Sequence, residues 1–262
     1  MIELQGVTKS FAGDPVLEGL NWQVHPGEFW GIIGPNGSGK STLLQLIAGA
    51  EKPDNGEIRL WNRPAASYSR KALSRKLAVL QQDGLPPVSF PVREVVEMGR
   101  FPYLDWLGRD QTAGADLLVD RIMDRLDLTP LAARPLSELS GGQRQRAALG
   151  KVMAQEPELV LLDEPTTYLD IHYQIQFMEL LSEWKKQSAI TVLAAIHDIN
   201  LAALYCDQLL VIKQGKVIAA GRTSEVLSTT LLREVFDVDS VLVHPPGSDT
   251  PQFLFRPEGE DG

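Results

Sequence analysis

Apolar positions early in the chain alternate or bunch over short stretches. Residues 2–7 and 20–24 alternate weakly and predict strands. Phe29–Ile33 is an apolar run that ends at a glycine, the pattern of a buried strand feeding a turn. Over residues 41–50 the spacing changes: Leu43, Leu44, Ile47 and Ala48 fall on one face of a helix. The three stretches together make a strand–loop–helix unit. Pro86, Pro87 and Pro91 then break the chain, and residues 92–131 take on a helical pattern through Val92, Val95, Val96, Leu118, Ile122 and Leu126. A long helix is expected after Ser140, strands at 159–162 and 190–196, and a helix near 171–184. Residues 209–212 and 217–220 flank Lys213-Gln214-Gly215-Lys216, a hairpin signal. Residues 241–243 and 253–255 are expected to pair across a Pro/Gly/Ser-rich loop, with 258–262 a frayed tail.

Composition narrows the classes. The chain has 262 residues, enough for one domain or one core with an inserted lobe. A net charge of −9 argues against a long basic surface, so no nucleic-acid partner is expected. Cys206 is the only cysteine, so an internal disulfide is excluded and a reducing cytosol fits. Residues 1–10 carry no apolar signal core. No apolar run reaches the roughly 18 residues that span a bilayer, so a membrane role must come through a partner.

Gly34-Pro35-Asn36-Gly37-Ser38-Gly39-Lys40-Ser41 fits G-x-x-x-x-G-K-[ST], with a buried strand before it and a helix after it. Glycines let the backbone curl so that N–H groups point inward at phosphate, and the helix adds its positive end. Lys40 would reach the β- and γ-phosphates of ATP, and the Ser41 hydroxyl would hold Mg²⁺; Thr42 follows in the same first turn. The four fixed positions match by chance in only about 1% of chains this long, and the buried strand before and helix after supply the right structural context as well.

A second feature is acidic. Residues 159–162 are apolar and run into Asp163 and Glu164, at the end of a predicted strand. Ligands in parallel α/β sheets bind at the carboxyl ends of strands. Asp163 would then lie near Mg²⁺, and Glu164 would accept a proton from an attacking water.

Leu139-Ser140-Gly141-Gly142-Gln143 resembles the signature motif of ABC ATPases, and its place between the phosphate loop and the acidic strand is that family's order. The segment opens a helix with a hydroxyl, bare N–H groups and a dipole that suit an anion. In the family this motif serves a nucleotide bound on a second subunit, so the resemblance implies a head-to-tail dimer with ATP between copies. Four more positions match by order. Gln82, with Gln81 beside it, resembles the glutamine that contacts Mg²⁺ or the attacking water. Asp170 resembles the loop that crosses the dimer interface, where the family often has a small residue in place of Tyr168. His197 resembles the switch histidine at the γ-phosphate. Phe11 stands where the family places an aromatic ring to stack on adenine; packing in the core is the alternative for this residue.

The resemblance implies an α/β fold: a P-loop NTPase (RecA-like) core over residues 1–83 and 136–240, with an antiparallel β region. It adds an inserted helical subdomain at 84–135 and a C-terminal hairpin and tail at 241–262. Some of Phe101, Tyr103, Trp106 and Leu107 are expected to fill the lobe's own core, and a groove beside them to accept a short permease helix. Residues 85–103 and 197–202 are most similar to importer ATPases for iron–siderophore, haem or vitamin B12. That implies an ATPase on the cytoplasmic face of the membrane. Its partners would be a permease and an extracytoplasmic binding protein acting through it. Another ABC importer or exporter, or a soluble ABC protein, is the alternative.

Overall fold

A computed structural model describes residues 1–81, 85–167, 169–247 and 250–256. In chain order the first elements are β1 (Ile2–Phe11), β2 (Asp14–Val24), β3 (Phe29–Ile33), α1 (Lys40–Ile47), β4 (Asn55–Leu60), β5 (Arg63–Pro64), α2 (Arg70–Ser74) and β6 (Leu77–Leu80). There follow α3 (Val92–Glu97), α4 (Ala115–Arg125), α5 (Gly141–Ala154), β7 (Leu159–Asp163), α6 (Ile171–Ser188) and β8 (Thr191–Ala195). The last are α7 (Ile199–Tyr205), β9 (Gln208–Lys213), β10 (Lys216–Arg222), α8 (Thr223–Val226), α9 (Thr229–Phe236), β11 (Asp239–Val243) and β12 (Gln252–Arg256). The chain divides into two compact units, Met1–Ser67 with Val192–Gly262, and Tyr68–Thr191.

In the first unit β1 pairs antiparallel with both β2 and β4. The β1–β2 hairpin closes at Ala12 and Gly13, both with positive φ, and brings Phe11 opposite Asp14. Both strands therefore run longer than the sequence pattern predicts. Register shifts between Leu4 and Val7 and around Lys9 blur the two-residue alternation there. A second sheet places β3 between β8 and β9 in parallel register, with β10 antiparallel on β9. All five residues of β3 are buried, as an apolar run covered on both faces requires. The β9–β10 turn puts Gln214 and Gly215 at positive φ, as the hairpin signal predicts. β11 pairs with β12, and Asn200 of α7 clasps the pair: it accepts from the Phe253 N–H at 2.8 Å and donates to the Phe253 carbonyl at 3.2 Å.

In the second unit β6 pairs parallel with β7. The expected helical stretch at 92–131 is α3, a 3₁₀ turn over Met98–Tyr103, a loop and α4. Two features interrupt it. Pro102 lies inside the turn. A Cβ on Gly99 would stand 2.1 Å from the Lys151 carbonyl of α5, so the turn is pressed onto that helix. Gly150 lets α3 and α4 approach α5 in the same way, through Val96 and Leu126. No helix among the described residues is long and apolar enough to cross a membrane.

Candidate functional site

The predicted site residues fall on both units. The first carries Phe11, residues 34–42 and His197; the second carries residues 140–143, Asp163, Glu164 and Asp170. Gln82 and Tyr168 lie outside the described residues.

The 34–39 loop of the first unit is shaped by its surroundings. A Cβ on Gly34 would meet the Ile212 carbonyl at 2.0 Å, so only glycine lets the chain turn out of β3 against β9. Gly39 has φ 103°, and a Cβ there would meet the Val16 carbonyl at 2.9 Å. The Ser38 N–H donates to the Pro35 carbonyl at 3.2 Å, and the Gly215 N–H of the β9–β10 turn donates to the Ser38 carbonyl at 3.3 Å. Gly39 is also the residue before α1, and it offers no side chain to cap the helix; the first turn carries no acidic residue. The helix start thus keeps its N–H donors and positive end turned to the loop. The Ser38 hydroxyl is buried there without a hydrogen-bond partner. Lys40 is buried, and its ammonium donates to the Gly34 and Pro35 carbonyls at 2.8 and 3.1 Å. Ser41 and Thr42 follow, both half-buried. A glycine loop with one ammonium at a helix start has the chemistry to bind a polyphosphate.

His197 leaves the same end of the sheet. Ile32 of β3 lies opposite Ala195 of β8, and the Ile196 N–H donates to the Ile32 carbonyl at 3.1 Å. Gly34 and His197 therefore follow neighbouring parallel strands at their carboxyl ends, where α/β sheets bind ligands. His197 is exposed, and Asp198 caps α7. Phe11, at the end of β1, is 42% exposed and stays out of the core.

In the second unit Ser140 caps α5 through a reciprocal pair. Its hydroxyl accepts from the Gln143 N–H at 3.3 Å, and its own N–H donates to Gln143 Oε1 at 3.0 Å. The two glycines differ. A Cβ on Gly142 would collide with the Tyr173 ring at 2.4 Å, whereas one on Gly141 would meet nothing within 4 Å. Asp163 ends β7, and Glu164 follows at φ 50°, a conformation uncommon for glutamate. The Thr167 hydroxyl donates to Glu164 Oε2 at 3.3 Å. Two glutamines hold the segment that follows: Gln145 of α5 donates to the Pro165 carbonyl at 2.6 Å, and Gln174 of α6 to the Thr166 and Leu169 carbonyls. Asp170 caps α6 by accepting from the Tyr173 N–H at 3.1 Å. The segments around Gly142, Glu164 and Asp170 are thus tied together through Gln145, Tyr173 and Gln174. Pattern reading misses those three because ordinary helix residues gain their role only from tertiary contacts.

The same unit presents another surface. A cavity of about 470 Å³ is lined by Glu94, Glu97, Phe101, Leu104, Asp116 and Val119, among others. Phe101 is 60% exposed and Trp106 90%, so neither fills the lobe's own core. Arg100 is buried, paired with Asp110 at 2.8 Å and Glu156 at 2.6 Å, and stacked on Tyr103 at 4.0 Å from its centroid. Burial alone would depress the Arg100 guanidinium; its two carboxylate partners outweigh that and hold its pKa above the usual value. Burial likewise pushes the Asp110 carboxyl up, but Arg100 and Thr112 hold it below the usual carboxylate range.

Comparison with known proteins bears on the family and the fold. The ABC transporter family matches residues 17–167. The chain is 35% identical over 249 residues to the ferric enterobactin transport ATP-binding protein FepC of Escherichia coli, covering 94% of this chain and 90% of that one. It is 39% identical over 241 residues to the hemin import ATP-binding protein HmuV of Streptomyces coelicolor, covering 92% and 85%. It is 38% identical over 236 residues, 90% of this chain, to the cobalamin import ATP-binding protein BtuD of Halobacterium salinarum, and spans only 58% of that protein's length. Among solved structures, an ATP-binding cassette of an ABC transporter in its ADP conformation superposes with TM-score 0.80 at 26% identity, covering 90% of this chain and 98% of that one. A dimeric cassette in a post-hydrolysis state with ADP and phosphate superposes with TM-score 0.73 at 29% identity, covering 85% and 99%. The fold is that of the P-loop ATPase cassettes, and the chain belongs to the ABC transporter family.

Proposed function

We propose that this chain is the ATP-binding and ATP-hydrolysing subunit that powers import of an iron chelate, haem or corrinoid through a separate membrane permease. The observation that carries the reading is the start of α1: an uncapped helix end, glycines pressed against β9 and β2, and Lys40 folded into the loop. Residues 34–42 hold the phosphates of ATP, and Phe11 stacks on adenine. Glu164 takes a proton from the attacking water, and His197 contacts the γ-phosphate. Residues 140–143 and Asp170 serve the nucleotide of a second copy in a head-to-tail pair.

Ser41, Gln82 and Asp163 are the Mg²⁺ ligands in this reading. The Ser41 hydroxyl and Asp163 carboxylate are hard oxygen donors. Among the described residues no group of three His, Cys, Asp or Glu side chains forms a protein cage for a metal. That suits Mg²⁺, which keeps waters and takes phosphate oxygens beside one or two protein ligands. Bound there, Mg²⁺ would neutralise charge on the β- and γ-phosphates.

The surface around Phe101 takes a short permease helix, and Glu94 and Asp116 at its cavity favour one carrying a basic residue. The pair works at the cytoplasmic face of the membrane, with an extracytoplasmic binding protein acting through the permease and no nucleic acid involved. The relatives named for siderophore, haem and cobalamin uptake support the cargo class. Deleting the gene should abolish uptake of a ferric siderophore, haem or cobalamin. Normal uptake of all three, with another nutrient lost, rejects this cargo class. The purified chain should hydrolyse MgATP without any phosphorylated acceptor; formation of such a product would point to a kinase.

A further inference from the structure

β1 carries Lys9 and Phe11 two residues apart, and despite the register shift at Lys9 the two side chains meet. Their surroundings differ. Phe11 is exposed at the strand's end, while Lys9 is only 9% exposed. A buried ammonium must be paired. Lys9 donates to the Lys52 carbonyl at 3.0 Å and pairs with Glu51 at 3.2 Å and Asp54 at 3.7 Å. The same Nζ lies over the Phe11 ring, 4.9 Å from its centroid, within cation–π range.

All three of those oxygen partners belong to the connection between α1 and β4, and that connection is fastened at both ends. At the helix end, the Ala50 and Glu51 N–H groups donate to the Gln45 carbonyl in the last turn of α1. At the strand end, the Asp54 N–H donates to the Thr8 carbonyl at 2.8 Å, and Asp54 Oδ2 accepts from the Ser10 N–H at 2.6 Å. Lys9 is thus the node through which the helix of the phosphate loop holds an exposed aromatic ring.

We propose that Lys9 is a positioning residue for the nucleotide base. It occupies one face of the Phe11 ring, fixes that ring relative to α1, and leaves the opposite face as the stacking surface. An exposed Phe without such a contact samples several rotamers, and ordering it on binding weakens affinity. The ammonium also offsets the negative π-face of the ring, which lowers its repulsion of a stacked purine. The inference rests on the reading of Phe11 as the adenine contact, and the test separates the two.

The probes are ATP and inorganic tripolyphosphate, each with Mg²⁺, titrated calorimetrically into the full chain. Lys9→Met keeps the stem and removes the charge. It should weaken ATP binding roughly 3- to 10-fold and leave tripolyphosphate binding unchanged. Phe11→Ala should also weaken ATP binding, and the double variant should be no weaker than Phe11→Ala alone. Lys9→Arg should restore affinity. Should Lys9→Met fail to fold, Lys9→Gln, uncharged but able to donate to the Lys52 carbonyl, carries the same comparison. If the Lys9 variants bind ATP as the wild type does while Phe11→Ala weakens it, the inference fails and the stacking reading stands. Equal loss of ATP and tripolyphosphate would reduce Lys9 to a structural residue and also overturn it. Wild-type ATP affinity in Phe11→Ala would remove the base contact and the inference together.

Discussion

Two helices of this chain begin beside glycine-rich sequence, and they begin differently. α1 opens at Gly39, in a left-handed conformation, with no side-chain cap. α5 opens at Ser140 with a reciprocal capping box. The glycines differ in the same sense. Gly34 and Gly39 are each forced by the chain's own backbone, whereas Gly141 faces open space. The first helix start is therefore built to need a ligand within its own unit. The second is already satisfied internally, and its bare glycine has no reason within this chain. An anion supplied from outside gives it one.

The largest effect should come from breaking the first helix start. Lys40→Ala removes the ammonium that bridges the Gly34 and Pro35 carbonyls. Hydrolysis should fall to background and nucleotide binding should weaken, because the proposed charge beside the β- and γ-phosphates is lost. Wild-type phosphate release by this variant would remove the loop from the active site. Glu164→Gln should come next, with a loss of about 10²–10⁴-fold in rate, because an amide cannot take up the proton. The phosphate loop is untouched, so MgATP should persist and bridge one copy's loop to the other's Ser140–Gln143 segment. Light scattering should show a stable dimer with MgATP and a monomer with ADP. A persistent monomer at saturating MgATP would break the proposed link between the two helix starts.

A smaller effect tests the internal half of the comparison. Gly142→Ala drives a methyl to 2.4 Å from Cδ1 of the Tyr173 ring, which must shift to accept it. Overpacking of this kind costs about 1–3 kcal/mol. The melting temperature should drop by several degrees, and Tyr173→Ala in the same chain should recover part of the loss. Unchanged melting of the single variant would mean that the α5–α6 contact yields easily.

What the sequence discloses follows the same divide. The phosphate loop is legible because its demands lie in eight contiguous residues, and the strand and helix that frame it read clearly. The hairpin at Lys213-Gln214-Gly215-Lys216 is legible for the same local reason. Lys9 is not, because its meaning depends on Glu51, Lys52 and Asp54, brought to it by sheet pairing. Nor is the close seat of the turn after α3, where Gly99 meets a carbonyl of α5 more than fifty residues away. Gln145 and Gln174 look like ordinary surface residues of their helices, and only the fold turns them toward the carbonyls after Glu164.

The smallest expected effect is the most discriminating. A Cβ at Gly141 meets nothing, and the residue has no positive φ that would strain alanine. Replacing a glycine by alanine at a compatible position stabilises by about 0.4–1 kcal/mol, because the unfolded chain loses freedom. Gly141→Ala should therefore raise the melting temperature by about 1–4 °C. The capping box uses the Ser140 and Gln143 groups alone, so it should persist. If the helix start of α5 meets the γ-phosphate held by a partner's loop, the added methyl lies where that anion must approach. Hydrolysis should then fall although the protein is more stable, and the dimer seen with Glu164→Gln should need more ATP to form. A variant that is stabilised and fully active would show that the α5 start is a helix cap and nothing more. A variant that is destabilised would overturn the account of Gly141 as unconstrained by its own chain.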